Sequence, residues 1–248
     1  MQLALCTWPE IEAYLAGSRG IVLPIGSTEQ HGPSGLIGTD AMVPDAIAHA
    51  IGERCGALVA PPLAIGVSQF NLAFPGTMSV RASTLMALVD DCISALARHG
   101  FERFYFLNGH GGNLAPLKAA FQDIHAKLSV RLRVRSWWDY PAADRLRKDL
   151  YGEREGMHAT PSEVAITQYL YPKAIRRPAM PPAKPLSAQF LREHAGDDHG
   201  NAGSLRAQFP DGRVGSDPAL ATPEDGKRLF DAAVEDGMKD YLAFVAEA

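Results

Sequence analysis

Glu29-Gln30-His31 sets a carboxylate and an imidazole two positions apart, and Asp40 follows in Gly38-Thr39-Asp40. That mix suits zinc, manganese or iron, and a carboxylate that bridges is the usual way to hold two ions about 4 Å apart. The same residues also describe a polar loop whose Asp40 caps a following helix. His110 stands among glycines in Asn108-Gly109-His110-Gly111-Gly112-Asn113, where a ring nitrogen can reach a metal while bare backbone lets a substrate approach. Gly109 to Gly112 before a helix also resembles a phosphate cradle, so a nucleotide- or flavin-binding α/β protein is the alternative. No Lys-Ser/Thr ending and no full G-x-G-x-x-G frame accompanies it, which favours the ligand reading.

Further on, His158-Ala159-Thr160-Pro161-Ser162-Glu163 precedes a helical stretch. Thr160 at the N-cap, Pro161 at N1 and Glu163 at N3 form a capping box, a structural role that needs no chemistry. His158 lies just outside that cap, where an imidazole can act as general acid or base. His194 and His199 with Asp197 and Asp198 make a weaker cluster in what reads as a mobile loop, and we set it aside.

The elements that must position these residues alternate short apolar runs with longer helical patterns, the mark of a mainly parallel sheet covered on both faces. Thr7 with Pro9 and Glu10 opens a helix, and Ile21 to Ile25 reads as a buried strand entering the loop from Gly26 to Asp40. A helix from about Val43 to Arg54 and a strand from Leu58 to Ile65 follow. Next comes a helix capped by Ser83, with a stripe of Leu85, Leu88, Val89, Cys92, Ile93 and Leu96 and a left-handed stop at Gly100. Phe104 to Leu107 is a strand that runs into the His110 loop, a helix continues to Leu128, and Val130 to Ser136 is another strand. Helices are expected from Pro161 to Leu170 and from Thr222-Pro223-Glu224 to Val245, with Pro172 to Pro185 irregular. Both polar loops follow parallel strands, whose carboxyl ends are where open α/β sheets bind ligands.

At 248 residues the chain fits a single domain. Its formal charge of -4 comes from interspersed charges, with no footprint for nucleic acid or a membrane surface, so the expected partner is a small molecule. Cys6, Cys55 and Cys92 are odd in number and far apart, no stretch is long enough to span a bilayer, and Met1 to Cys6 lacks a basic leader. These features fit the cytoplasm.

Leu23-Pro24-Ile25-Gly26-Ser27-Thr28-Glu29-Gln30-His31-Gly32-Pro33, Gly38-Thr39-Asp40-Ala41, Phe74-Pro75-Gly76-Thr77 and Asn108-Gly109-His110-Gly111-Gly112-Asn113, in that order, resemble the creatininase (creatinine amidohydrolase) family. The resemblance extends through His158 to Glu163 and to Gly215-Ser216-Asp217-Pro218, covering nearly the whole chain. It implies a three-layer α/β/α sandwich, commonly a hexamer, that hydrolyses a non-peptide or modified amide with two divalent ions, zinc with manganese or iron as alternatives. Asp40 would bridge, with Glu29 and His110 on one ion and His31 on the other. A metal-activated water would attack the carbonyl, His158 would move a proton to the leaving nitrogen, and Asn113 or loop amides would hold the oxyanion. A noncatalytic assembly subunit is a second alternative.

Two departures bear on the substrate. Creatinine-cleaving members carry a ligand glutamate two positions after the loop histidine with an aromatic between, whereas this chain has Gly111 and Gly112. Glu163 is then the expected donor, because members with this glycine-rich form keep a glutamate five residues after the second histidine. The family often has Glu-His where Phe70-Asn71 stands. Losing the aromatic wall argues for a formamide, cyclic amide or other small carbonyl compound over creatinine. Trp137 and Trp138 are expected in the core or a subunit contact, with a replacement wall as the other possibility.

Overall fold

The computed structural model describes residues 1–194 and 199–247. Four strands, β1 (Gly20–Ile25), β2 (Leu58–Val59), β3 (Arg103–Asn108) and β4 (Arg131–Ser136), form one parallel sheet in the order β2-β1-β3-β4. The register pairs Ile25 with Asn108 and Asn108 with Ser136, so the three longer strands end level. Alternate side chains feed two cores. Ile21, Leu23, Ile25, Phe104 and Phe106 pack under α1 (Trp8–Leu15), α3 (Ala82–Arg98) and α4 (Leu114–His125). Val22, Tyr105 and Leu107 pack under α2 (Thr39–Cys55), α5 (Pro141–Tyr151), α6 (Pro161–Leu170) and α9 (Pro223–Ala246). This is the expected α/β/α sandwich, and burial on both faces explains why β1 is apolar throughout. Two short helices, α7 (Ala188–Glu193) and α8 (Ala202–Gln208), lie in the segment before α9.

The boundaries differ in three places. The strand expected from Leu58 to Ile65 stops at Val59, because Pro61 and Pro62 cannot donate to a ladder, and only Leu63 bridges back to Ile25. Arg81, not Ser83, occupies the N-cap of α3; its carbonyl accepts from Thr84 N and Leu85 N, and Leu88 turns outward at 41% exposure. The third difference shapes the site, for α2 begins at Thr39 and takes Asp40 into its first turn. Pro44 has no N–H to return to the Asp40 carbonyl. Gly26 and Gly109, at the ends of β1 and β3, press against that oxygen, and a Cβ on either would stand 1.9 or 2.2 Å from it. Glycine there lets the start of α2 sit across the level strand ends.

Among the described residues no helix is long and apolar enough to cross a membrane. The three cysteines are unpaired.

Candidate metal centre

Three imidazoles converge at the strand ends, and each is steered by a backbone carbonyl. His31 Nδ1 lies 3.0 Å from Glu29 O, His110 Nε2 lies 2.9 Å from Val67 O, and His158 Nε2 lies 2.7 Å from Gln30 O. A carbonyl only accepts, so each of these nitrogens carries the proton and the other ring nitrogen turns inward. His31 Nε2 meets Asp40 Oδ1 at 2.8 Å, His110 Nδ1 meets Asp40 Oδ2 at 3.0 Å, and His158 Nδ1 stands 3.5 Å from Glu29 Oε1. His110 Nδ1 is also 3.4 Å from Glu29 Oε1. Lone pair then faces lone pair unless a proton or a metal cation lies between.

Glu163 divides its two oxygens. Oε1 accepts from Thr160 N at 2.5 Å, completing the capping box, while Oε2 lies 3.8 Å from His31 Nε2. Three sets of donors result, each within 4.8 Å: Glu29, Asp40 and His110; His31, Asp40 and Glu163; and Glu29, His31 and His158. All of these residues are buried.

Burial pushes Glu29 up to about 7 against the pull of His110, and pushes Glu163 up to about 8 against that of His31. For His31, burial opposes the charge, but the Asp40 and Glu163 carboxylates hold it up at about 10. Burial likewise opposes ionisation of Asp40, yet His31 and His110 keep it well below the usual carboxylate range. Both oxygens of Glu29 and Oδ2 of Asp40 accept no hydrogen bond of ordinary geometry. A buried cage with orphaned carboxylate oxygens and inward imidazole nitrogens fits divalent cations.

Asn113, expected to hold an oxyanion, is placed differently. Its Nδ2 donates to Gly26 O at 3.0 Å and its Oδ1 accepts from Val67 N at 3.1 Å, so it ties loops together beneath the cage. Gly109 and Gly112 are likewise accounted for by packing: a Cβ on Gly112 would stand 2.4 Å from Val67 O. His199 belongs to a separate stack, 5.3 Å from the Phe70 ring, which itself stacks on His110 at 6.0 Å; Asp197 and Asp198 lie outside the described residues.

A cavity of about 320 Å³ opens over Asp40, His110, His158 and Glu163. Trp137 and Trp138 wall it, although Trp137 also belongs to the core, so the two roles weighed for this pair coexist. Asp139 and Glu155 also line it. Glu155 Oε1 accepts from Ser162 Oγ at 2.5 Å, and burial pushes its carboxyl up to about 7. Sequence reasoning missed Glu155, and it missed the supports: Ser68, whose Oγ is 3.3 Å from His110 Nε2, and Gln30, whose Nε2 donates to Asn71 Oδ1 at 2.9 Å. Only Gln30 carried a signal, its place between two expected ligands.

The family model for creatininase, described as creatinine amidohydrolase, matches residues 4–240. A creatinine amidohydrolase from Pseudomonas putida is 32% identical over 188 residues, covering 68% of this chain and 71% of the relative. A mycofactocin precursor peptide peptidase from Mycobacterium ulcerans (strain Agy99) is 30% identical over 242 residues, 93% of this chain and 83% of the relative. Among solved structures, a manganese creatininase superposes with a TM-score of 0.79 at 27% identity, covering 99% of both chains. With a family match over nearly its whole length and a shared fold around the cage, this chain belongs to the creatininase (creatinine amidohydrolase) family, whose members hydrolyse amide bonds.

Proposed function

We propose that the cage holds two divalent cations and that the protein uses them to hydrolyse a small amide or formamide group. The observation that carries this reading is Asp40, whose two oxygens face different imidazoles, His31 at 2.8 Å and His110 at 3.0 Å. Glu29 and His110 would hold one ion, His31 and Glu163 the other, with Asp40 shared. Zinc suits this nitrogen and oxygen set, and manganese or iron are the alternatives. Bound there, the cations would supply Lewis acidity, polarising a carbonyl oxygen and lowering the pKa of water.

The chain's own residues do the rest. His158, anchored through Nε2 to Gln30 O, moves a proton through Nδ1 to the leaving nitrogen. Asn113 holds the loop in place, and the backbone amide of Gly111, which borders the cavity, is the better candidate for steadying a developing oxyanion. A cavity of about 320 Å³ takes a reacting group the size of a formamide or a cyclic amide. Creatinine is a poor substrate in this reading, because Gly111 and Gly112 stand where creatinine-cleaving members put an aromatic and a carboxylate.

Elemental analysis and a substrate panel test it together. Close to two divalent ions per chain are expected, with turnover of at least one formamide, cyclic amide or capped peptide. Protein that takes up no zinc or manganese and cleaves none of the panel would overturn the reading. By the family resemblance the chain is also a homo-oligomer, a hexamer, and a monomer mass by light scattering at micromolar concentration would refute that.

A further inference from the structure

We propose that the slot along the free edge of β4 binds an extended peptide segment of the substrate, laid alongside β4 as an added strand with its scissile amide over the cage. This rests on the amide-hydrolase reading and names what the reacting group is attached to.

Backbone phase sets the donors. Among the described residues β4 pairs only with β3, and Arg131 N donates to Glu102 O. In a strand the N–H and C=O of one residue point the same way and alternate along the chain, so Arg131, Arg133 and Arg135 face β3. The backbone groups of Leu132, Val134 and Ser136 therefore face away from β3; Ser136 is buried, and those of the part-exposed Leu132 and Val134 are a ready template for another chain. The arginine side chains do not close this edge. Arg133 and Arg135 fold over the sheet face onto Asp240 of α9, at 3.3 and 3.1 Å.

The slot is also roomy and leads to the chemistry. A cavity of about 700 Å³ lies between α4 and α9 with Val134, Arg135 and Ser136 on its floor. It shares Leu114 and Asp139 with the cavity over the cage, so the two adjoin. β4 runs toward the cage, and Ser136 passes directly into Trp137 and Trp138 on the wall of the catalytic cavity. A strand laid along β4 is thus delivered to the ions. The rim mixes Lys118 and Lys239 with Asp139 and Asp236, which suits a peptide with both charge signs better than a polyanion or a lipid surface. A second copy of this chain fits less well, because its strand would run into the catalytic cavity.

The test is hydrogen exchange of the metal-loaded full chain, read by NMR, with acetyl-Lys-Val-Thr-Val-Glu-Gly-amide as probe. Exchange at the amides of Leu132 and Val134 is expected to slow at saturating peptide, with no change at Arg131, Arg133 and Arg135. Val134→Pro removes an outward N–H where an edge strand tolerates proline, and should weaken the peptide about tenfold, the usual worth of one hydrogen bond. Metal content checks that this variant folds; should it not, Lys239→Glu on the rim is expected to weaken the peptide several-fold instead. Unchanged exchange along β4 at saturating peptide overturns the proposal, as does slowing that appears without peptide and grows with protein concentration, which assigns the edge to a second copy. The readout is binding alone, so a protein that keeps two ions and cleaves a small amide but fails here loses only this inference.

Discussion

Glu163→Gln separates the cap that Glu163 makes from the donor role proposed for it. Glutamine at N3 completes a capping box as well as glutamate does, so the bond from Thr160 N to Oε1 survives, while the charged oxygen facing His31 is lost. Without metal the substitution should stabilise the protein. Burial pushes the Glu163 carboxyl from 4.5 to about 8, so below about pH 4.5 the acid is protonated in both folded and unfolded chains and costs nothing. Between those values the unfolded chain ionises more readily, and the stability present at low pH is lost as pH rises through about 8. For a rise of this size the loss is on the order of 4 kcal/mol. Metal-free Glu163→Gln should exceed metal-free wild type by that amount at pH 8 and by almost nothing at pH 4.5. With metal the order reverses, and affinity for at least one ion should fall more than about 100-fold, beyond the usual cost of losing a supporting partner. Thr160→Val is the complement: it removes the Oγ1 that accepts from Glu163 N but keeps the N–H that holds Oε1, costs about 1 kcal/mol at every pH, and leaves metal affinity within a few-fold. Urea unfolding at both pH values, with chelator and with titrated zinc, reads all of this. Wild-type metal affinity in Glu163→Gln would refute the donor role of Oε2, and no gain at pH 8 would refute the burial argument.

Asp40→Asn should lower the occupancy of both ions by elemental analysis; retention of both would show that Asp40 is not shared. Gly109→Ala places a Cβ 2.2 Å from Asp40 O and 2.7 Å from Pro44 Cδ, and should cost about 3 kcal/mol together with metal binding, checked by urea unfolding. An unchanged midpoint would mean that α2 does not bear on the strand ends as described. Creatinine should be turned over by metal-loaded enzyme at less than roughly 10⁴ M⁻¹s⁻¹. A higher value that collapses in Trp138→Ala would show that the tryptophans supply the wall the glycine loop lacks.

The sheet was legible because both faces are covered: runs such as Ile21 to Ile25 and Phe104 to Leu107 are apolar without interruption, and the helices between them repeat at 3.6 residues. What periodicity hid was the first turn of α2. Pro44 sits inside the helix without breaking it, because the bond it cannot make is the one to Asp40, whose carbonyl is packed against Gly26 and Gly109. The helix expected from about Val43 begins at Thr39, and the contact at its start joins three separate segments of the chain.

The cage was legible in its members and not in its wiring. Glu29, His31, Asp40, His110 and His158 stood out by type and spacing, Glu163 stood out as a donor only through the family resemblance, and the fold brings all six together. Yet what would make an imidazole a metal donor here is which nitrogen keeps the proton, and two of the three carbonyls that decide it lie 43 and 128 residues away. No local pattern encodes such a partner. Glu163 shows the same limit from the other side. Spacing read Glu163 as a cap and the family resemblance read it as a ligand, rivals only while a side chain has one role, whereas a carboxylate has two oxygens and the helix end turns one to Thr160 N and the other to His31. The cap then becomes part of the site's precision: by fixing Oε1 it fixes the direction of Oε2, so the carboxylate need not be ordered again when a cation arrives.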